Sequence, residues 1–177
     1  MTLVEFIRAE IRRLHAALDA ATADLSLEQW HAVPGNNPAA NHIAFEMWHY
    51  VRTEDNIVRF ILQNRRPTVW MEGGWAERLS LPPVAQGTGM PAADAQTLRI
   101  ADLDAFAQYK RDVYASTDEW LANPDESTFS RMVTVKPLGE MPAIRALGQV
   151  VVTHGFTHLG ELELIRTLMG LKPAIGV

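Results

Sequence analysis

The amino-acid sequence predicts an all-α protein: a four-helix bundle with a long irregular insertion between the second and third helices. Three observations predict this fold. Four long stretches carry apolar residues at helical spacing, turn-forming residues separate those stretches, and no convincing pair of strands is visible. The length of 177 residues suits one domain, so we expect a single bundle domain over residues 1–177.

The first helix is indicated by apolar residues three or four positions apart, which keeps them on one face. These residues are Val4, Ile7, Ile11, Leu14, Leu18, Ala21 and Leu25. Thr2 and Glu5 predict a capping box at its start. Residues 29–38 are too rich in turn formers to be helical, so a second helix is expected from about Ala39 to about Asn64, before Pro67.

Residues 67–101 form the insertion, which mixes repeated glycines and prolines with large apolar side chains, among them Trp70, Met71 and Trp75. A connection of this length inside a compact domain is usually a functional loop or a linker, and the tryptophans favour a packed loop. We expect it to fold across the mouth of a site and to influence substrate choice. The alternative is that its tryptophans fill a hydrophobic groove elsewhere.

The third helix is predicted from about Asp102 to about Leu121, and an irregular stretch follows Pro124. Within that stretch, residues 132–135 could be extended, but no partner strand is evident. The fourth helix is predicted from near Pro142, a residue suited to a first turn, to Gly170, a residue suited to a helix end.

Composition excludes several classes of function. Sixteen basic and 21 acidic residues give a net charge of -5, which argues against nucleic acid or an anionic membrane as a partner. The absence of cysteine excludes thiolate ligands and nucleophiles supplied by this chain. The first twenty residues are charged and no apolar run is long enough to cross a membrane, so we expect a cytoplasmic protein.

The fourth helix carries polar residues where a core stripe should be apolar. The middle of the stripe is His154, His158 and Glu161, and burying such groups is costly unless each has a partner. The full stripe reads Ile144, Leu147, Val151, His154, His158, Glu161, Ile165 and Leu168. Because residues four apart lie one above the other on a helix, the two imidazoles can reach one metal ion.

A third ligand could come from the second helix, where His42 and His49 share a face with Glu46 between them. Three histidines with one vacant position are typical of a catalytic divalent metal site. The alternative is that the histidines are buried and merely hydrogen-bonded. Position 155 is Gly, so the H-E-x-x-H motif of metalloproteases is missing.

The histidine segments resemble those of the DinB/YfiT-like superfamily. Residues 154–162, H-G-F-T-H-L-G-E-L, are similar to that family's H-x-x-x-H-x-G-[QE] run, and residues 168–173 to its L-x-G-x-x-P turn. Residues 46–55, E-M-W-H-Y-V-R-T-E-D, resemble its second-helix motif, in which a histidine precedes an acidic pair. Residues 69–82 are similar to an insertion found in one branch of the family.

This resemblance implies a four-helix bundle that binds a divalent metal, commonly nickel or zinc, through His49, His154 and His158. His42 matches no position of the family motif, and we interpret it as a packing or pocket-wall residue. Glu161 follows His154 by seven residues and should face the same cavity, where it could orient a histidine or act as a general base. The alternative for Glu161 is a salt bridge at the rim, with Arg166 or Arg52.

Three functions are therefore considered. Members of the superfamily include thiol-dependent transferases, so the leading expectation is a metal-dependent S-transferase that uses a low-molecular-weight thiol as cosubstrate and acts on a small molecule. A metal-dependent hydrolase is the second possibility, with Glu161 or Glu46 deprotonating water. The third is a non-enzymatic bundle that binds a metal or a small ligand.

A homodimer is also expected, because the second helix is apolar around most of its circumference while one helix of a bundle needs only a stripe. Coverage of that surface by the insertion is the main alternative. The residues concerned are Ile43, Phe45, Met47, Trp48, Tyr50, Val51, Ile57, Val58, Phe60 and Ile61.

Overall fold

The computed structural model describes residues 1–123 and 125–175. Four long helices dominate the chain and confirm the predicted all-α class. Two of them contain π-helical segments. The bounds are Leu3–Thr22 for α1; Ile43–Asp55 with the π-helix Asn56–Ile61 for α2; Leu103–Ala122 for α3; and Ala143–Ala146, the π-helix Leu147–Thr153 and His154–Leu168, in succession, for α4.

The helices form a bundle in which α1 and α2 each pack against both α3 and α4. Apolar side chains from all four helices meet in the interior, including Leu14, Trp48, Phe106 and Leu162, all of them buried. Burial of this apolar surface is the main favourable contribution to folding. None of the described helices combines the length and apolar character needed to cross a membrane.

Side-chain caps set the helix starts. The predicted capping box of α1 is confirmed, since the Thr2 hydroxyl accepts the Glu5 N–H at 3.2 Å and Glu5 accepts the Thr2 N–H at 2.6 Å. The predicted start of α2 near Ala39 is wrong. His42 caps this helix by accepting the Phe45 N–H at Nδ1, at 3.0 Å, and a turn occupies the preceding residues.

A short hairpin corrects the expectation that residues 132–135 lack a partner. Strand β1, Met132–Val135, pairs antiparallel with β2, Gly139–Pro142. The second strand is hard to recognise from sequence because glycine and proline are poor strand formers. Its pairing buries Val133 and Met141 against one end of the bundle. Pro124, where we expected this irregular stretch to begin, lies outside the described residues.

The buried face of α4 also differs from the predicted stripe. Leu168 is 60% exposed, whereas Leu162 and Leu159 are buried. Leu168 is the last residue of the helix, so no further helical turn covers it, whereas Val151, His158 and Ile165 of the predicted stripe are buried. Among the polar residues of the stripe, His158 lies in the core while His154 and Glu161 lie at its edge.

The insertion is packed and contains three short helices, Val69–Glu72, Trp75–Leu79 and Ala92–Ala95. Trp70 and Trp75 are buried against Tyr109 of α3, at ring-centroid distances of 5.0 and 5.7 Å. Asp55, at the end of the α-helical part of α2, accepts the Val69 and Trp70 N–H groups at 2.8 and 2.9 Å. These tryptophans therefore fill a groove beside α3, which was the alternative expectation for them.

The apolar circumference of α2 is largely covered within the chain. Trp48 and Tyr50 are fully buried, and Phe60 is the main exception at 37% exposed. The observation that suggested a homodimer is thus accounted for by the bundle and the insertion together. The homodimer stays a prediction, but the apolar circumference of α2 no longer supports it.

Candidate metal centre

Three histidines meet between α2 and α4. His49 lies on α2, and His154 and His158 lie one turn apart on α4. Each offers one ring nitrogen, and these three atoms lie within 4.8 Å of one another. The ring centroid of His49 is 5.2 Å from that of His154 and 5.1 Å from that of His158. The structure therefore brings together the three residues that the sequence motifs selected.

The orientation of His49 is set by the insertion. Its Nδ1 donates a hydrogen bond to the backbone carbonyl of Gln86. A carbonyl can only accept, so in a neutral ring the proton is on Nδ1 and the lone pair is on Nε2. This tautomer leaves Nε2 available as a ligand atom.

Two carboxylates lie beside Nδ1 of His158. Its Nδ1 lies 2.6 Å from Oε2 of Glu46 and 2.8 Å from Oε2 of Glu161. A carboxylate beside the Nδ1–H of a histidine commonly orients that ring toward a metal and raises its basicity. Nε2 of His158 is then the atom directed at the other histidines.

His154 faces His158 directly, with 2.9 Å between their Nε2 atoms. Two unprotonated nitrogens cannot approach so closely without repulsion between their lone pairs. Such a contact needs a proton or a cation between the two nitrogens. Nδ1 of His154 is buried and has no hydrogen-bond partner among the described residues.

The charges around the histidines separate their pKa values. Burial lowers the pKa of His154 to about 4, with further lowering from the neighbouring His158 and His49. Burial also lowers the pKa of His49. Burial opposes protonation of His158 as well, but Glu161 and Glu46 outweigh it and raise its pKa to about 9. Without metal, the cluster therefore carries one proton in excess, on His158, at neutral pH.

Glu161 reaches the cluster from the rim, where its side chain is 47% exposed. The pKa of Glu161 is lowered, mainly by its hydrogen bond with His158. The alternative salt bridges are not formed. Arg166 binds Asp24 at 2.6 Å, and the Arg52 guanidinium lies over the ring of Trp70 at 4.5 Å.

His42 is separate from this cluster. Its Nδ1 caps α2, its ring packs edge-on against His31 at 5.5 Å, and it is fully buried. Burial lowers the pKa of His42 to about 4, which keeps the ring neutral. The structure thus assigns His42 the packing role that we inferred, together with a capping role that its sequence position did not suggest.

Gly155, between the two histidines of α4, allows the close approach of α4 to α2. A Cβ at this position would lie 2.6 Å from Cε2 of Tyr50, which real Cβ atoms do not tolerate. The glycine is therefore a packing requirement of the helix interface, and it places His154 and His158 within reach of His49.

Two polar features were not predicted from the sequence. His15 of α1 is buried and its Nε2 lies 2.8 Å from Oε2 of Glu54, although its position beside Leu14 and one turn after Ile11 marks that side of the helix as internal. The contact between the Gln86 carbonyl and His49 could not be predicted from the sequence, because a backbone acceptor is present at every residue.

Fold and site together define a helical-bundle protein with a three-histidine cluster between two neighbouring helices. The chain belongs to the DinB superfamily, whose family model matches residues 10–162. It also resembles the crystal structure of a conserved protein from Enterococcus faecalis, with a TM-score of 0.82 and 18% identity over 96% of this chain and 99% of the other. That likeness shows a shared fold. No curated protein matches the chain.

Proposed function

We propose that this protein is a divalent-metal enzyme in which His49, His154 and His158 hold the ion through Nε2. One observation carries the proposal: one ring nitrogen from each of the three imidazoles lies within 4.8 Å of the other two. The second nitrogen of His49 is bonded to a carbonyl, and that of His158 lies beside two carboxylates. Three neutral nitrogen donors without a thiolate suit zinc or nickel, and three protein ligands leave a position open.

The reaction we propose is attack of a thiol, through its sulfur, on a carbon atom of a small electrophilic substrate. A divalent ion bound here would lower the pKa of a coordinated thiol, which makes thiolate available near neutral pH. The chain has no cysteine, so the thiol must come from a low-molecular-weight cosubstrate. The thiolate sulfur would form a bond to carbon as the leaving group departs with its electron pair.

The chain's own residues would contribute positioning and proton transfer. His49 and His154 are only partly buried, which gives small molecules access to the cluster from solvent. Glu46 is buried and would hold Nδ1 of His158 in place. Glu161 is half-exposed at the rim, where its carboxylate could accept the thiol proton and pass it to water.

The position of Glu161 also favours one alternative, a metal-dependent hydrolase in which this carboxylate takes a proton from water instead. A bundle that binds a metal or a small ligand without catalysis is the remaining candidate. Thiol dependence separates the three functions.

The test is to load the protein with Co²⁺ or Ni²⁺, titrate it with glutathione, bacillithiol and mycothiol, and record a sulfur-to-metal charge-transfer band. We expect a band with one of these thiols, absent in His154→Ala, and consumption of a model electrophile such as an epoxide only when that thiol is present. Ester hydrolysis without thiol would support the hydrolase instead. Metal binding without a band or turnover would leave the non-catalytic bundle.

A further inference from the structure

The insertion reaches the metal centre through two consecutive residues, Gln86 and Gly87. The Gln86 carbonyl accepts the hydrogen bond from Nδ1 of His49. Gly87 is buried and adopts a φ of +92°, a conformation that side chains other than glycine disfavour. A Cβ at Gly87 would lie 3.0 Å from His49 Nδ1 and 3.0 Å from Cζ of Phe45. The backbone of the insertion is thus in direct contact with the imidazole.

Phe45 completes the surroundings of this ring. It stacks on His49 with 5.8 Å between centroids and an interplanar angle of 11°. Because Phe45 lies one turn before His49 on α2, the stacking is fixed by the helix itself. The imidazole is therefore held by its own helix on one side and by the 86–87 backbone at its Nδ1.

The 86–87 backbone lies between two hydrogen-bonded parts of the insertion. Before it, Leu81 is buried and its N–H bonds to the Ala76 carbonyl at 3.0 Å. After it, the Gly87 carbonyl accepts the Met90 N–H at 3.0 Å and closes a turn. The carbonyl is consequently a positioned acceptor.

We propose that Gln86–Gly87 is a positioning element for the metal centre, which fixes His49 in the tautomer with its lone pair on Nε2. The inference rests on the proposed function in treating His49 as a metal ligand. The insertion then affects metal affinity through a backbone carbonyl and through the absence of a side chain at position 87. Gly87 is a positioning residue, since it acts only through His49.

A matched pair of substitutions tests this proposal. Gly87→Ala places a methyl group against His49 and Phe45, whereas Gly89→Ala, at φ +72°, meets nothing within 4 Å. Both positions have a positive φ that disfavours alanine, so the difference between the two variants isolates the contact with His49 and the Phe45 ring stacked on it. We expect Zn²⁺ affinity, measured by chelator competition, to fall about 10- to 100-fold in Gly87→Ala, as for other residues that orient metal ligands, and to be retained in Gly89→Ala.

A second measurement needs no metal. Long-range ¹H–¹⁵N NMR of the metal-free wild-type protein should show the His49 proton on Nδ1, protected from exchange. A proton on Nε2 of His49 would overturn the proposal, as would equal Zn²⁺ affinities in the two glycine variants. A wild-type protein that binds no metal, yet shows the Nδ1 proton and loses it only in Gly87→Ala, would refute the proposed function and leave the positioning role supported.

Discussion

Two buried histidine–carboxylate pairs in this bundle differ in the groups that surround the histidine ring. In the first, Nε2 of His15 lies 2.8 Å from Glu54, whose other oxygen accepts the Thr117 hydroxyl at 2.6 Å. Tyr114 covers the imidazole, stacked at 3.4 Å. Both carboxylate oxygens are bonded, and the pair connects α1, α2 and α3.

The second pair is His158 with Glu46. We call it the open pair, because further histidines face the ring of His158, and we call His15 with Glu54 the closed pair. Glu161 is a second carboxylate at the same nitrogen, and two more histidines face the other nitrogen of His158. A buried histidine with a carboxylate partner therefore does not by itself identify a metal site. What distinguishes the α2–α4 cluster is the convergence of several imidazole nitrogens that face one another instead of a carboxylate or a backbone carbonyl.

The largest effect should follow from breaking the closed pair with His15→Ala. Burial alone would raise the pKa of Glu54, but His15 and Thr117 outweigh it and lower that pKa, so the carboxylate is charged at neutral pH. Removing His15 leaves this charge without its partner, which typically costs about 3–5 kcal/mol of unfolding free energy. Urea denaturation measures the loss.

The control for His15→Ala is the double variant His15→Leu/Glu54→Met, because replacing both members of a buried pair by apolar residues is often neutral. It should recover most of the lost stability. Metal content should be unchanged in both variants. Loss of metal in His15→Ala at a temperature where the variant is folded would contradict the distinction between the two pairs.

Metal binding at the open pair should depend on pH. The pKa of His158 is about 9, so its ring is protonated below that pH and must lose a proton before Nε2 can bind a metal. Metal affinity should therefore rise with pH by up to about tenfold per unit between pH 7 and 9, and then level off. Calorimetry at pH 7 in buffers of different ionisation enthalpy should detect release of about one proton, and no release would contradict this assignment.

A smaller effect should separate the two carboxylates beside His158. Glu46→Gln removes a buried charge that faces Nδ1, and we expect about a 10- to 100-fold loss of Zn²⁺ affinity above pH 9, where proton competition is absent. Glu161→Gln should cost less, because water screens the half-exposed carboxylate. Chelator competition measures both affinities. Equal losses would show that burial does not determine which carboxylate matters.

Local chemistry explains which parts of the fold and site could be predicted. The spacing of His154 and His158 placed both on one side of α4, and a family motif selected His49 over His42. Spacing did not reveal the π-helical segment Leu147–Thr153, because a π-turn depends on packing between helices. The hairpin was missed for a similar reason, since the pairing of Gly139–Pro142 with β1 is set by burial against the bundle.

Polar contacts that cross the chain were the least predictable. His15 and Glu54 are 39 residues apart, and neither residue alone indicates the other. Gln86 acts through its backbone carbonyl, so its side chain gives no information about the contact with His49.

The metal content of the protein and its variants shows whether His49, His154 and His158 bind the ion. The untagged protein, equilibrated with Zn²⁺ or Ni²⁺ at pH 8 and dialysed, should retain about one ion per chain by elemental analysis. His42→Asn is the matched control, because asparagine can cap α2 in place of His42 and the position lies outside the cluster, so it should retain the same amount. His154→Ala should retain almost none. Full metal content in a variant lacking the imidazoles of His49, His154 and His158 would contradict the account.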